Sequence, residues 1–315
     1  MYNYTLTVSG ISAITVLFKE QTMHASTLKR YSYTLAIPGF ALYILFFIIP
    51  AAGGLILSFV KILGFDLSSV RFGGLQNYIA VFTQPNMRRA IGNSFIFAVV
   101  TTIFKMGIGL SLAVALNRKT VLTNALRTIF FLPAVINTVA VGLIFSSLMH
   151  PANGLVNTFL RSVGLDVLAR SWLVDTHLAI FSVCAIEIWK WSGFTMVILL
   201  SGMQTIGREY YEAAEIDGAG GFTKFKYITF PLLLPAFNNA LILSIIGGLK
   251  VFDLIQATTQ GGPGSATEVF GTLIYKSFGA GRLGEGCAAS IVLALVIAAI
   301  AMPTYKYIAN REVEI

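Results

Sequence analysis

From Tyr33 to Val60 the chain runs without a charged side chain, and nearly the same bareness returns near residues 91–116, 128–149, 178–203, 232–256 and 286–308. A helix rises about 1.5 Å per residue, so roughly 20 mostly apolar residues cross the hydrocarbon core of a bilayer. These six segments predict an all-α fold class, a polytopic membrane protein with about six transmembrane helices. Pro38, Pro50, Pro133, Pro235 and Pro303 fall inside them. Such residues are tolerated where neighbouring helices re-satisfy the freed backbone groups, and they predict kinks.

Composition excludes the other broad classes. Of 315 residues 56% are hydrophobic and 11% charged, whereas about a quarter of a soluble domain is charged. The net charge of +8 would suit a nucleic-acid binder only if the basic residues formed a patch. They are spread between apolar runs, so loop charge at a membrane surface accounts for them and no nucleic-acid partner is expected. Cys184 and Cys287 lie in apolar surroundings without metal-ligand spacing. Both are expected to be buried small side chains, and no metal is expected.

An even number of spans puts both termini on one side of the membrane. Short basic connections around Arg118, Lys119 and Arg127, and around Lys224 and Lys226, mark that side as cytoplasmic. Residues 1–30 read as a cytoplasmic or interfacial tail, because the apolar run Val8 to Phe18 is too short to span.

One connection is unlike the rest. YEAAEIDGAGGFTKFKYITFP, residues 211–231, lies between two apolar runs and is charged and glycine-punctuated. Arg208 to Asp217 is a good helix former, and Gly218 stands where a left-handed cap would end it. Phe222 to Phe230 reads as a second short helix that Pro231 stops before the fifth span. An acidic first helix at a cytoplasmic surface suits a soluble protein partner better than lipid headgroups.

The run Glu212, Ala213, Ala214, then Asp217, Gly218, Ala219, then Phe225, Ile228 and Pro231 resembles the EAA loop of the membrane subunits of bacterial ATP-binding-cassette importers. LRTIFFLPAVINTVAVGLIFSSLMHPANGLVN at 126–157, IWKWSGFTMVILLSGMQTI at 188–206 and FDLIQATTQGGPGSATE at 252–268 are similar to carbohydrate permeases of the maltose and glycerol-phosphate type, to the first of their two permease subunits. The resemblance implies a type I importer transmembrane domain over 31–315, with the loop 208–231 as a coupling element in a cleft of the ATPase subunit. Glu212 would be an ion-pair partner there and Gly218 the hinge. It also implies a second homologous permease, two ATPase subunits, a periplasmic or extracellular solute-binding protein, a saccharide substrate and a location in the bacterial inner membrane. No G-x-x-x-x-G-K-[ST] run occurs in the chain, so ATP and Mg are expected in the partner ATPase, with no cofactor and no catalytic residue in this subunit.

Charges inside spans are functional candidates by default, since each costs about 2.5 to 3.5 kcal/mol on insertion scales. Lys105, Glu187, Lys190, Lys250 and Asp253 qualify. Glu187 and Lys190 are three apart, which allows a structural pair. Lys250 and Asp253 are spaced likewise, but the resemblance places that part of the fifth span at the sugar site. Sugar recognition also needs aromatic faces and hydrogen-bonding groups. Trp189, Trp191, Phe194, Asn238, Asn239 and Phe252 supply them, with at most one of the two tryptophans facing the pathway. The substrate-pathway set is Lys250, Asp253, Phe252, Asn239, Trp189, Glu187 and Lys190. The five charges, three positive and two negative, leave room for a neutral or a uronate-containing oligosaccharide.

Two other classes compete. An ion-coupled secondary transporter could use Glu187 and Asp253 as a proton relay, but it has no use for the EAA loop. An intramembrane enzyme would need a clustered base or metal motif, and His24, His150 and His177 stand apart.

Overall fold

The computed structural model describes residues 36–62, 68, 70–117 and 120–312. The expected tail 1–30 and the basic pair Arg118 and Lys119 lie outside the described residues. The chain divides into two compact units, Met1–Ile56 and Leu57–Ile315.

The described part of the first unit is nearly all of helix α1, Ile37–Ser58, long and apolar enough to span a membrane. Phe40, Phe46 and Phe47 on it are large apolar side chains, as a helix in contact with hydrocarbon or with other spans requires. A π-helical turn, Ile44–Ile48, precedes Pro50. Ile49 N–H donates to Ile44 O, five residues back, and this wider turn makes room for a proline ring that would otherwise strike the preceding turn.

The second unit opens with a two-residue antiparallel ribbon, β1 (Val60–Lys61) and β2 (Arg71–Phe72). Short helix α2, Gln76–Thr83, leads into span α3, Pro85–Ala115. There follow α4 (Val121–Val135), α5 (Thr138–Leu148), α6 (Leu155–Ser162) and the long α7 (Ala179–Thr205). After α8 (Arg208–Ile216) come α9 (Gly221–Leu249), α10 (Asp253–Thr258), α11 (Phe270–Gly279) and α12 (Leu283–Ala309). Helix α7 is the most buried of the spans and packs against α3, α4 and α9. Its N-terminal part, Ile180 to Ile186, joins Phe97, Val141 and Leu254 in one apolar cluster. Its C-terminal part, Met196 to Met203, joins Met106, Leu116 and Leu233 in another. Cys184 and Cys287 are buried and unpaired.

Two segments differ from the sequence expectation. The single span expected over 128–149 is two helices, α4 and α5, bent by 94°. Pro133 withholds an N–H from the last turn of α4, and Asn137 then starts a new helix, its Oδ1 accepting from the N–H groups of Val139 and Ala140. The span expected over 232–256 begins at Gly221 and ends at Leu249. Pro231 does not stop the helix. The π turn Phe225–Thr229 precedes it, with Phe230 N–H bonded to Phe225 O, the device used ahead of Pro50.

The glycine-rich segment after α10 is a fixed loop. Gln260, Gly261, Gly264 and Ser265 all take positive φ, at 52°, 88°, 54° and 68°, which explains the glycines at two of the four positions. Asn93 Nδ2 on α3 donates to the carbonyls of Ala266 and Glu268 at 3.0 and 2.9 Å, and Arg89 donates to Gly264 O. Lys276 and Glu268 close it with an ion pair of 2.6 Å. Asn93→Ala should therefore speed hydrogen exchange at Ala266 to Glu268 and leave the α3 amides protected. Unchanged exchange in the loop would show that its own turns hold it.

Candidate functional site

Between its two apolar clusters α7 carries buried Glu187, Lys190, Ser192 and Thr195. A cavity of about 320 Å³ opens beside this polar belt. From α7 it is lined by Glu187, Trp191, Phe194, Thr195 and Ile198, and from α9 by Ala240, Leu243, Ser244 and Gly247. Both sets recur three, four and seven residues apart, so each is one face of a helix. Lys105 of α3, Thr138 of α5 and the segment Lys250 to Leu254 complete the wall. The charged lining side chains are Lys105, Lys250, Glu187 and Asp253, two of each sign.

The charges pair otherwise than their spacing suggests. Glu187 does not pair with Lys190; its carboxylate meets Lys105 of α3 at 3.7 Å, with both side chains buried. Lys190 is 1% exposed, and its Nζ donates to the carbonyls of Pro133, Ala134 and Ile136. Its ammonium also lies 4.9 Å from the Trp191 ring centroid. Lys250 and Asp253 form no ion pair with each other among the described residues. Lys250 caps α9, Phe252 at φ −145° and ψ −62° breaks the helix, and Asp253 starts α10, so the helical spacing of three that would join them is never built.

Of the aromatic candidates, Trp191 and Phe194 face the cavity and pack edge to face at 5.7 Å. Trp189 does not. It is 46% exposed and lies against Phe145. Phe252 lines the cavity, and its ring lies 5.3 Å from that of Tyr275 at a tilt of 43°. Asn239 is exposed and off the lining face of α9, while buried Asn238 bonds Tyr305 O and Glu312. The helical stripe through Glu187, Trp191, Phe194, Thr195 and Ile198 was the available sequence signal, and it selects Trp191 over Trp189. Thr138 had no such signal, because only the bend in the third span brings it to the wall.

The Lys105–Glu187 pair gives a direct test. Lys105→Met alone leaves a buried carboxylate uncompensated, and should cost about 3 to 5 kcal/mol. The double change Lys105→Met, Glu187→Leu should recover most of the thermal stability of the purified complex. Equal destabilisation by the single and the double change would mean that the two charges are not coupled.

At the far end of α7 lies the EAA-like segment. Helix α8 ends in a Schellman arrangement: Gly218 at φ +72°, its N–H on Glu215 O, and Ala219 N–H on Ala214 O. Glu212, Ala213, Asp217 and Gly218 are exposed, and Ala214, Ala219 and Phe225 are half-buried. Two links clamp α8 onto α9, Tyr211 Oη to Thr229 Oγ1 at 3.0 Å and Lys224 Nζ to Glu215 at 2.7 Å. The Lys224 ammonium holds the Glu215 carboxyl below the usual carboxylate range. Tyr211 and Glu215 are four apart on an α-helical face, while Lys224 and Thr229 are five apart, a match made by the π turn between them. No group of His, Cys, Asp or Glu fit to hold a metal occurs among the described residues.

Residues 105–310 match the family described as binding-protein-dependent transport system inner membrane component. The probable ABC transporter permease protein YurN of Bacillus subtilis (strain 168) is 33% identical over 91% of this chain and 98% of its own length. The sn-glycerol-3-phosphate transport system permease protein UgpA of Agrobacterium fabrum is 32% identical over 90% and 96%. The permease-like chain in the crystal structure of a bacterial ABC transporter involved in import of the acidic polysaccharide alginate superposes with a TM-score of 0.77, over 93% of this chain and 98% of that one, at 23% identity. At that identity the superposition speaks for the fold. By sequence, the chain belongs to the binding-protein-dependent transport system inner membrane components, the multi-pass permease subunits of ABC transporters.

Proposed function

We propose that this permease forms one half of a saccharide pathway, paired with a second homologous permease and driven by two ATPase subunits that hold the ATP and Mg. A solute-binding protein on the outer side delivers the sugar. The observation that carries this reading is the cavity at the polar belt of α7, with Trp191, Phe194 and Phe252 as apolar faces and Thr138, Thr195 and Ser244 as hydroxyl partners. Relatives named for arabinooligosaccharides and for trehalose/maltose support a saccharide cargo. The exposed acidic helix α8 suits a protein cleft, with Glu212 as its ion-pair partner and α8 held rigidly to α9. That end then faces the cytoplasm, with both termini.

The lining charges favour a neutral cargo. Lys190 is withdrawn to backbone carbonyls, and what remains is two cations and two carboxylates. A polyuronate would meet Glu187 and Asp253 without an excess of positive charge to offset its own.

Reconstitution of the four-subunit complex with its binding protein tests the reading. A panel of maltotriose, arabinotriose and trigalacturonate should give uptake with a neutral member and none with the uronate. Lys250→Gln and Asp253→Asn should each assemble normally and lower uptake severalfold, and the double change should not restore it, because neither residue partners the other. Uptake driven only by trigalacturonate would overturn the neutral assignment. Glu212→Lys should abolish uptake with α8 still folded, and full uptake in that variant would remove α8 from the coupling path.

A further inference from the structure

The bend between α4 and α5 poses a problem that the family resemblance does not address. A 94° break within an apolar span frees backbone groups that must find partners in the protein or in the cavity beside it. On the N–H side Asn137 Oδ1 caps Val139 and Ala140. On the carbonyl side Pro133 O accepts from the N–H of Ile136 at 3.3 Å, and the one side chain that meets the end of α4 is Lys190, whose Nζ donates to Pro133 O, Ala134 O and Ile136 O at 3.2, 3.3 and 2.5 Å. The ammonium has no carboxylate within ion-pair distance among the described residues; its direct contacts are these carbonyls and the Trp191 face, with the Glu187 carboxylate one turn back adding a longer-range attraction. The negative end of the α4 dipole adds to that attraction.

Close backbone approach is what lets Lys190 reach. Gly193, one helical turn along α7, lies against the Phe130 carbonyl, and an added Cβ would collide with it. Thr138, the first residue of α5, lines the cavity directly after the bend, and Trp191, the neighbour of Lys190, lines it from α7.

We propose that Lys190 is a positioning residue for translocation. Its three bonds fix the angle of the broken third span, and through that angle they hold the N-terminus of α5 as a wall of the cavity. The part played by that wall in transport rests on the function proposed above; the hold on the bend does not. Lys190 itself does not touch the cargo.

The test is made on the assembled complex in nanodiscs, with Cys184→Ala and Cys287→Ala and spin labels at Leu122→Cys and Leu143→Cys, exposed positions on α4 and α5. Lys190→Met should shift and broaden the distance distribution between the labels. It should also lower the maximal uptake of whichever panel sugar is carried by about tenfold or more, the equivalent of losing a charged hydrogen bond. The half-saturating concentration of loaded binding protein should stay unchanged. Lys190→Arg, which keeps the charge and several donors, should restore the wild-type distance and most of the uptake. Gly193→Ala, which pushes α4 from α7 with Lys190 intact, should shift the distance in the same way. If Lys190→Met does not assemble, Lys190→Gln takes its place, since an uncharged amide cannot span three carbonyls. An unshifted distance in these neutral variants overturns the proposal. A shifted distance with wild-type uptake upholds the hold on the bend and overturns the cavity reading instead, so the two failures are told apart.

Discussion

No backbone N–H or C=O can stay unpaired in hydrocarbon, and the architecture of this permease follows from how it meets that rule where its helices are not continuous. The third span carries a sharp bend and meets it with two side chains, Asn137 for the donors and Lys190 for the acceptors. Pro50 of α1 and Pro231 of α9 meet it differently, each preceded by a π turn that absorbs the missing N–H without bending the helix sharply. A bend and a bulge thus serve opposite ends: one turns the chain, the other keeps a long helix straight enough to span.

The same economy governs the charges. Glu187 and Lys190 sit one turn apart in the most buried helix, yet each finds its partner on a different neighbour, Lys105 on α3 and the carbonyls of α4. These contacts tie α7 to two spans at the level of the cavity, between the two apolar clusters. Apolar packing along the ends of α7 has no directional preference. The polar belt supplies direction and register, and it leaves open the space beside Trp191 and Phe194.

At the cytoplasmic end proposed here, α8 can transmit motion only if it moves with a span. The clamp made by Tyr211 with Thr229 and by Glu215 with Lys224 joins it to α9, which continues unbroken through Pro231 to Leu249 beside the cavity. The π turn serves both purposes, accepting the proline and bringing Thr229 onto the face of Lys224.

Much of this was legible in the sequence. Charge-free runs dictate membrane helices because bilayer thickness fixes their length. Gly218 dictates the end of α8 because a left-handed position excludes most other residues, and the acidic, glycine-punctuated stretch marks a short exposed helix between two spans because of its charge and place. Partners across space were not legible. Glu187 and Lys190, and again Lys250 and Asp253, have the spacing of helical pairs, but a sequence does not say that a neighbouring helix offers a better partner or that the helix ends between them. Trp191 was to be preferred to Trp189 from its stripe, whereas Thr138 entered the cavity wall only through the bend. The sequence by itself determined which segments enter the membrane and where helices can end, since these depend on local composition and backbone preference. Which buried charge meets which partner, and hence the shape and charge balance of the cavity, was decided by tertiary structure, because in a low-dielectric interior each polar group takes the partner that packing brings within reach.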